Sequence, residues 1–315
     1  MELASKGPHD FYLTLDVVEY FEREYTVEDI AEFGFARALS LSERDVLVVA
    51  VFNDDIDTPV FKIKTPDQDA LSAEERSEVL HQLGRILGAD LDNRAFYEQV
   101  ADDPVLAPLV EKHYGFKRLK RASFYEDAVR QVIRTRIAHE GTKKRMVHDV
   151  RTTWGTSFAW RGQQYATYPR PEVLAEVDPE QLRDFGISKR KGEYIVGLAK
   201  RIVDGELDVA EMEALDPDTF YERAQTIRGL GPSSAQTLML RRGRSDASFP
   251  PHDIKGEEKG LRRWLLPRYG VDPDEAHEEE VAEVLKLWTG YESLVAGLIY
   301  YDWLMNQLEK QYVED

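Results

Sequence analysis

The chain has 315 residues, 42% of them hydrophobic, enough to bury a sizeable core and to suggest two or three domains. It has no cysteine, which excludes disulfides, thiolate metal sites, iron–sulfur clusters and a cysteine nucleophile. The formal net charge of −18 opposes nucleic-acid binding by the chain taken as a whole, so any such contact must come from a local basic block.

Met1–Lys6 lacks the apolar core of a signal peptide, and no window approaches 18 apolar residues, so a soluble, cytoplasmic protein is expected. Residues 1–113 are acidic, with 10 basic and 25 acidic side chains. Residues 11–20 begin with alternation and predict a strand; 37–42, 45–52 and 58–64 predict three more, with a turn at 53–57. A small antiparallel sheet follows from these. Ser72-Ala-Glu-Glu75 is a capping box and predicts a helix over 72–87. His9 is isolated and carries no expected role.

From residue 88 onward the pattern is helix and loop. Helices are predicted over 92–101, 103–113, 124–139 and 143–154, with a basic loop at 117–121 and a further loop at 162–168. Residues 188–202 form a helix with a basic start, and Asp216-Pro217 caps the next one. Residues 114–270 hold 29 basic and 22 acidic residues, the one block with net positive charge. Lys189, Arg190, Lys191, Arg241, Arg242 and Arg244 are the expected phosphate-facing cations within it. Residues 271–315 return to acidic, with 2 basic and 12 acidic residues, and end in helices over 281–288 and 293–310. Arginine outnumbers lysine 26 to 15, and with the abundant acids this resembles a protein of a high-salt, halophilic cytoplasm.

The stretch Thr219–Trp264 organises the chain. Helices over 219–225 and 233–241 flank Ile227-Arg-Gly-Leu-Gly-Pro232. Gly229 and Gly231 allow a tight turn and close approach of a phosphate, and the backbone N–H groups from Gly231 to Ser234 sit at a helix start, where an anion is favoured. Pro232, Ser233 and Ser234 complete this candidate DNA-backbone grip. Twenty-two residues after Gly231 comes Asp253, in Phe249-Pro-Pro-His-Asp253. An aspartate after Pro-Pro is also a good helix N-cap.

Together, Ile227-Arg-Gly-Leu-Gly-Pro-Ser-Ser-Ala235, Phe249-Pro-Pro-His-Asp253, Phe185-Gly-Ile-Ser-Lys-Arg-Lys191 and Trp288-Thr-Gly-Tyr-Glu-Ser-Leu-Val295 resemble, in order and spacing, the helix-hairpin-helix DNA glycosylases. The resemblance is closest to the bacterial 3-methyladenine branch and covers residues 88–315. It implies an α+β chain with an N-terminal antiparallel sheet domain (1–87) and a helical glycosylase domain (88–315). Arg228 stands where the family often has proline, Thr135-Arg136 where it often has Gln-Gln, and Gly290 and Glu292 where it has proline and arginine.

The resemblance also implies a role for each site residue. Asp253 would stabilise the sugar cation and orient or activate water as the N-glycosidic bond of a flipped-out, alkylated purine breaks. Bifunctional relatives place a lysine where Ser233 stands, so base removal without strand cleavage is expected. Tyr300, Tyr301 and His252 are the candidate base pocket, although aromatics on a terminal helix also serve as core and His252 could equally fill its loop. Main-chain carbonyls of Gln225, Ile227 and Leu230 would hold a structural Na+ or K+, with no cofactor for the chemistry. The expected partner is double-stranded DNA with a damaged base, bound by a monomer associated with the nucleoid. The alternative is a helix-hairpin-helix protein that binds damaged or bent DNA without catalysis.

Overall fold

The computed structural model describes residues 1–15, 34–66, 70–248 and 265–313, apart from the side chains of residue 278 and of residues beyond 306. The fold is α+β: a four-stranded antiparallel sheet near the N-terminus, followed by helices.

The sheet runs in the order β1–β4–β3–β2, with β1 Glu2–Ala4, β2 Phe35–Ser40, β3 Asp45–Phe52 and β4 Val60–Lys64. Phe35 pairs with Ala50 and Ala50 with Ile63, which fixes the register. Both faces are covered. Phe35, Leu39, Val46, Val48 and Phe61 pack on helix α1 (Ala73–Leu87) through Val79, Leu83 and Ile86. Ala36, Ala38, Leu47 and Val49, one residue out of phase, pack on Tyr165, Phe158 and Trp160. That double burial explains why β3 reads Asp-Val-Leu-Val-Val-Ala-Val-Phe with almost no polar alternation. The Ser72 capping box forms as its sequence predicts: the Ser72 hydroxyl accepts from Glu75 N, and Glu75 accepts from Ser72 N.

Two expectations are corrected. Residues 11–15 are helical, not a strand. Phe11 and Leu15 lie four apart and meet one core, where Phe11 sits edge-on to Phe61 at 5.1 Å, while Leu13 faces another. Apolar residues at every second position had mimicked a strand, but the residues sort by helical spacing. Positions 16–20 of the same prediction lie outside the described residues. The fourth strand is supplied by residues 2–4, pairing with β4. The expected loop at 162–168 is instead largely a hairpin, β5 Ser157–Trp160 and β6 Gln163–Ala166. Its two-residue turn has positive φ at both Arg161 (49°) and Gly162 (80°), the turn that matches strand twist.

Helices α2 (Arg94–Gln99) and α3 (Leu106–Lys112) do not pack with the helices that follow them. They join the end of the chain, where Trp288, Val295, Leu298 and Tyr301 share their core. Asp302, on the last helix, takes Lys112 Nζ and His113 Nε2 at 3.1 Å each and pins that helix to α3. Between these segments lies a central helical layer: α4 (Phe124–Arg134), α5 (Glu140–Trp154), α6 (Pro171–Ala175), α7 (Lys189–Val203), α8 (Val209–Ala214), α9 (Pro217–Gln225) and α10 (Pro232–Met239). Helices α11 (Glu278–Lys286) and α12 (Glu292–Val313) close the chain. Helix α4 stops at Arg134 rather than 139, where Thr135 turns extended and Arg136 takes φ 58°.

Candidate functional site

The hairpin is built from α9, a six-residue turn and α10. Asp216 caps α9, its carboxylate accepting from Thr219 N at 3.0 Å. Ile227 N donates to Ala224 O and Leu230 N to Ile227 O, so the turn folds back on itself while Ile227 and Leu230 enter the core. Gly229 has φ 99°, and a Cβ there would lie 2.5 Å from the Tyr194 ring. Glycine is therefore required both by the dihedral and by the ring. Gly231 differs: it caps α10 at φ −95°, and a Cβ would meet open space. Gly231 and Pro232 are exposed at the start of α10, Ser233 is half-buried and Ser234 is buried.

Tyr194, on α7, is the pillar under this turn. Arg228 lies over its ring at 5.2 Å and Arg190 at 5.6 Å, and Arg190 Nε donates to its hydroxyl. Behind the turn, Gln131 of α4 reaches Ser234 Oγ at 3.4 Å, and Ser233 O accepts from Thr237 Oγ1 at 2.9 Å. The carbonyls of Gln225, Ile227 and Leu230 belong to the same turn, and that of Ile227 already accepts from Leu230 N at 3.0 Å.

Asp253 and His252 lie outside the described residues. The segment leading to them is anchored, however. Ser248 O accepts from Gln236 Nε2 of α10 at 3.0 Å, and Ala247 N donates to Glu292 Oε2 at 3.1 Å. Glu292 also accepts from Gly290 N at 3.0 Å, which gives this departure from the family pattern a structural role.

A cavity of about 150 Å³ lies between α4, the 116–121 loop, Arg241 and α12. A space of about this size is large enough for one aromatic ring. Tyr300 and Tyr301 both line it, in different settings. Tyr301 is buried, stacked on Phe116 at 4.4 Å and edge-on to His113 at 4.8 Å, so it is a wall of the core as well as of the cavity. Tyr300 leans on Trp303 at 5.9 Å with Arg118 over its ring at 6.0 Å.

The rest of the lining is charged. Arg130 and Arg134, four apart on α4, face it together with Arg118, Lys120, Arg121 and Arg241. Burial, then the Arg85 and Arg118 charges, pull Lys120 down to about 7; burial and Arg118 pull Arg241 down to about 10. Two carboxylates oppose them. Glu140 pairs with Arg134 and with Lys143, while Asp127 Oδ1 is buried without a hydrogen-bond partner among the described residues. Sequence reasoning missed this cluster, although the run Lys-Arg-Leu-Lys-Arg at 117–121 and the i,i+4 pair Arg130/Arg134 were its signal.

Of the expected phosphate-facing cations, several are spent elsewhere. Arg242 is buried over Phe220 at 4.4 Å and donates to Leu215 O. Lys191 Nζ bonds Ile133 O at 2.7 Å and caps α4, Lys189 pairs with Glu180, and Arg244 with Asp246. Among the described residues no cluster of metal-ligating side chains is present, and no helix is long and apolar enough to cross a membrane.

No family model matches the chain. It is 26% identical over 231 residues to a Bacillus subtilis protein described as DNA-3-methyladenine glycosylase, spanning 72% of this chain and 74% of that one. Its fold is similar over nearly its whole length to 3-methyladenine DNA glycosylase from Archaeoglobus fulgidus, with TM-score 0.74, 21% identity and coverage of 96% and 98% of the two chains. In sequence and in fold the chain is thus similar to DNA glycosylases of the helix-hairpin-helix kind. A second superfamily structure, the 8-oxoguanine glycosylase/lyase of Clostridium acetobutylicum in complex with double-stranded DNA, is similar at TM-score 0.68 and 17% identity, over 98% of each chain. The likeness in fold extends over nearly all of the architecture described above.

Proposed function

We propose that this protein is a DNA glycosylase of base-excision repair that removes a damaged purine from double-stranded DNA and leaves an abasic site. The observation that supports the reading is a hairpin whose Gly231 and Pro232 stand exposed at the start of α10, in a fold that also holds a cavity of about 150 Å³ lined by Tyr300, with Ser248 tied to α10 through Gln236. The hairpin N–H groups hold a backbone phosphate, and the base turns out of the stack into the cavity. Asp253 stabilises positive charge on the sugar and directs water to C1′. Ser233 offers no amine at the hairpin, so hydrolysis is not followed by strand cleavage there. A monovalent cation on the Gln225, Ile227 and Leu230 carbonyls would stiffen the turn; exchanging potassium for tetramethylammonium at constant ionic strength should then weaken DNA binding.

The test is incubation of wild type and Asp253→Asn with duplexes carrying single lesions, followed by mass spectrometry of released bases and alkali treatment of the DNA. The reading expects release and alkali-sensitive sites with wild type, neither with the variant, and DNA binding by both. Binding without release by wild type on every lesion would leave only the non-catalytic alternative. Strand breaks without alkali would overturn the absence of lyase chemistry.

A further inference from the structure

In a chain of net charge −18, an arginine at the surface has many carboxylates within reach. On α7 and α9, Arg201 pairs with Glu206 and Arg223 with Glu211. Arg190, in the first turn of α7, and Arg228, in the hairpin turn, are exposed, and neither forms an ion pair among the described residues. Both turn instead to one half-buried ring. Arg228 lies over Tyr194 at 5.2 Å and Arg190 at 5.6 Å, with Arg190 Nε donating to the Tyr194 hydroxyl.

Two like charges held around one ring repel each other, and the ring offsets that repulsion only in part. Convergent cations without a counter-charge on the protein make a site for an anion from outside it. Arginine suits a phosphate in this setting, because its planar fork can donate to two oxygens while its face stays on the ring. Stacking also restricts the side chain beforehand, so less freedom is lost when the phosphate arrives. A DNA strand carries a phosphate about every 3.4 Å along the axis, so neighbouring phosphates match a pair of cations gathered around a single ring.

Tyr194 also sets the hairpin turn. A Cβ at Gly229 would fall 2.5 Å from its ring, so the turn packs on the same ring that holds the two guanidiniums. Helix α7 is in turn fastened to α4, where Lys191 Nζ donates to Ile133 O at 2.7 Å. One anchored aromatic thus joins a cation from α7 and a cation from the turn to the exposed start of α10. Arg228 is a position where this chain departs from the family it resembles, so the arrangement is the chain's own.

Building on the reading of the hairpin as a DNA grip, we propose that Arg190 and Arg228 form a second phosphate-binding site. It takes a phosphate neighbouring the one held at the start of α10. Tyr194 is its positioning residue: it touches no DNA and fixes both guanidiniums relative to the turn.

The experiment measures binding of an undamaged duplex by fluorescence anisotropy across a potassium chloride series. Base release does not enter, so the catalytic reading can fail while this one stands. Wild type is compared with Arg190→Gln, Arg228→Gln, the double variant, Tyr194→Phe, and Tyr194→Phe combined with each arginine variant; thermal melting confirms that they fold. Each arginine substitution should lower the slope of log affinity against log salt by about 1, and the double variant by about 2. Tyr194→Phe keeps a ring under Arg228 and removes the hydroxyl that holds Arg190. It should weaken binding about fivefold in wild type and in Arg228→Gln, and leave Arg190→Gln unchanged. Equal losses in both arginine backgrounds would mark a merely structural tyrosine and overturn its positioning role. Wild-type slopes in both single arginine variants would overturn the site. Failure of wild type to bind any duplex would instead overturn the DNA grip on which the proposal rests.

Discussion

Two glycines only one residue apart answer to different forces. Gly229 carries φ 99° against the Tyr194 ring, so Gly229→Ala must strain the backbone and displace the ring. The expected cost is about 1–3 kcal/mol in urea unfolding, with loss of DNA binding. Gly231→Ala fills open space at an ordinary φ and should fold within about 0.5 kcal/mol of wild type, while a methyl between helix start and phosphate weakens DNA binding. Equal unfolding costs for the two variants would contradict this assignment. Lys120 offers a second test at this scale. Its amine is held down to about 7 by burial and neighbouring cations, so the folded state binds fewer protons than the unfolded state between that value and about 10.5. Stability conferred by the neutral amine is therefore full above about 10.5 and is lost as pH falls to about 7. The stability difference between wild type and Lys120→Met should shift in favour of wild type as pH rises across that window, measured by denaturant melts at several pH values; a flat difference would contradict the burial argument.

Elements decide which basic residues are left for DNA. Lys191 caps α4 through Ile133 O, and Arg242 is packed on Phe220, so neither is available to a phosphate. Arg190 and Arg228 flank Tyr194 at the exposed hairpin. Lys191→Met should cost about 0.3–1 kcal/mol of stability and leave the salt dependence of DNA binding unchanged. Arg228→Ala should lower the slope of log affinity against log salt by about 1. Titrations at a series of salt concentrations distinguish the two, and a slope change for Lys191→Met would reverse the assignment. The helices themselves were legible where caps were explicit: Ser72 and Asp216 each bond the backbone as their sequence predicts. The β5–β6 hairpin was not, because Arg161-Gly162 lacks the Asn or Asp that advertises such a turn, and its strands become strands only by covering the sheet. The strand expected from residue 11 failed for the related reason that two cores, not one, receive Phe11 and Leu13.

Across the whole molecule, sheet and helices are joined by a buried ion pair. Arg37 Nη2 reaches both oxygens of Glu126 at 2.6 and 2.7 Å, from β2 to the first turn of α4. Burial raises the Glu126 carboxyl, but Arg37, Arg151 and Arg121 outweigh it and hold it at about 2. The carboxylate's contribution is thus present above the usual value of about 4.5 and lost as pH falls towards 2. Glu126→Gln should cost about 3–5 kcal/mol at neutral pH and flatten the acid limb of the stability curve between those values, read from urea melts; an unchanged acid limb would place the coupling elsewhere. The same scale explains what sequence could and could not give of the site. Hairpin, spacing to Asp253 and superfamily follow from contiguous motifs. The cationic cavity does not, because Arg118, Arg134, Arg241 and Tyr300 come from four separate segments that only the folded chain assembles.

The measurement that bears most directly on this account is release of base from lesion-bearing duplexes by wild type and Asp253→Asn, with DNA binding followed in parallel. Base release and an intact, alkali-labile strand with wild type, and binding without release by the variant, are the predicted results. Release undiminished in Asp253→Asn, or none by wild type from any lesion, would contradict the account.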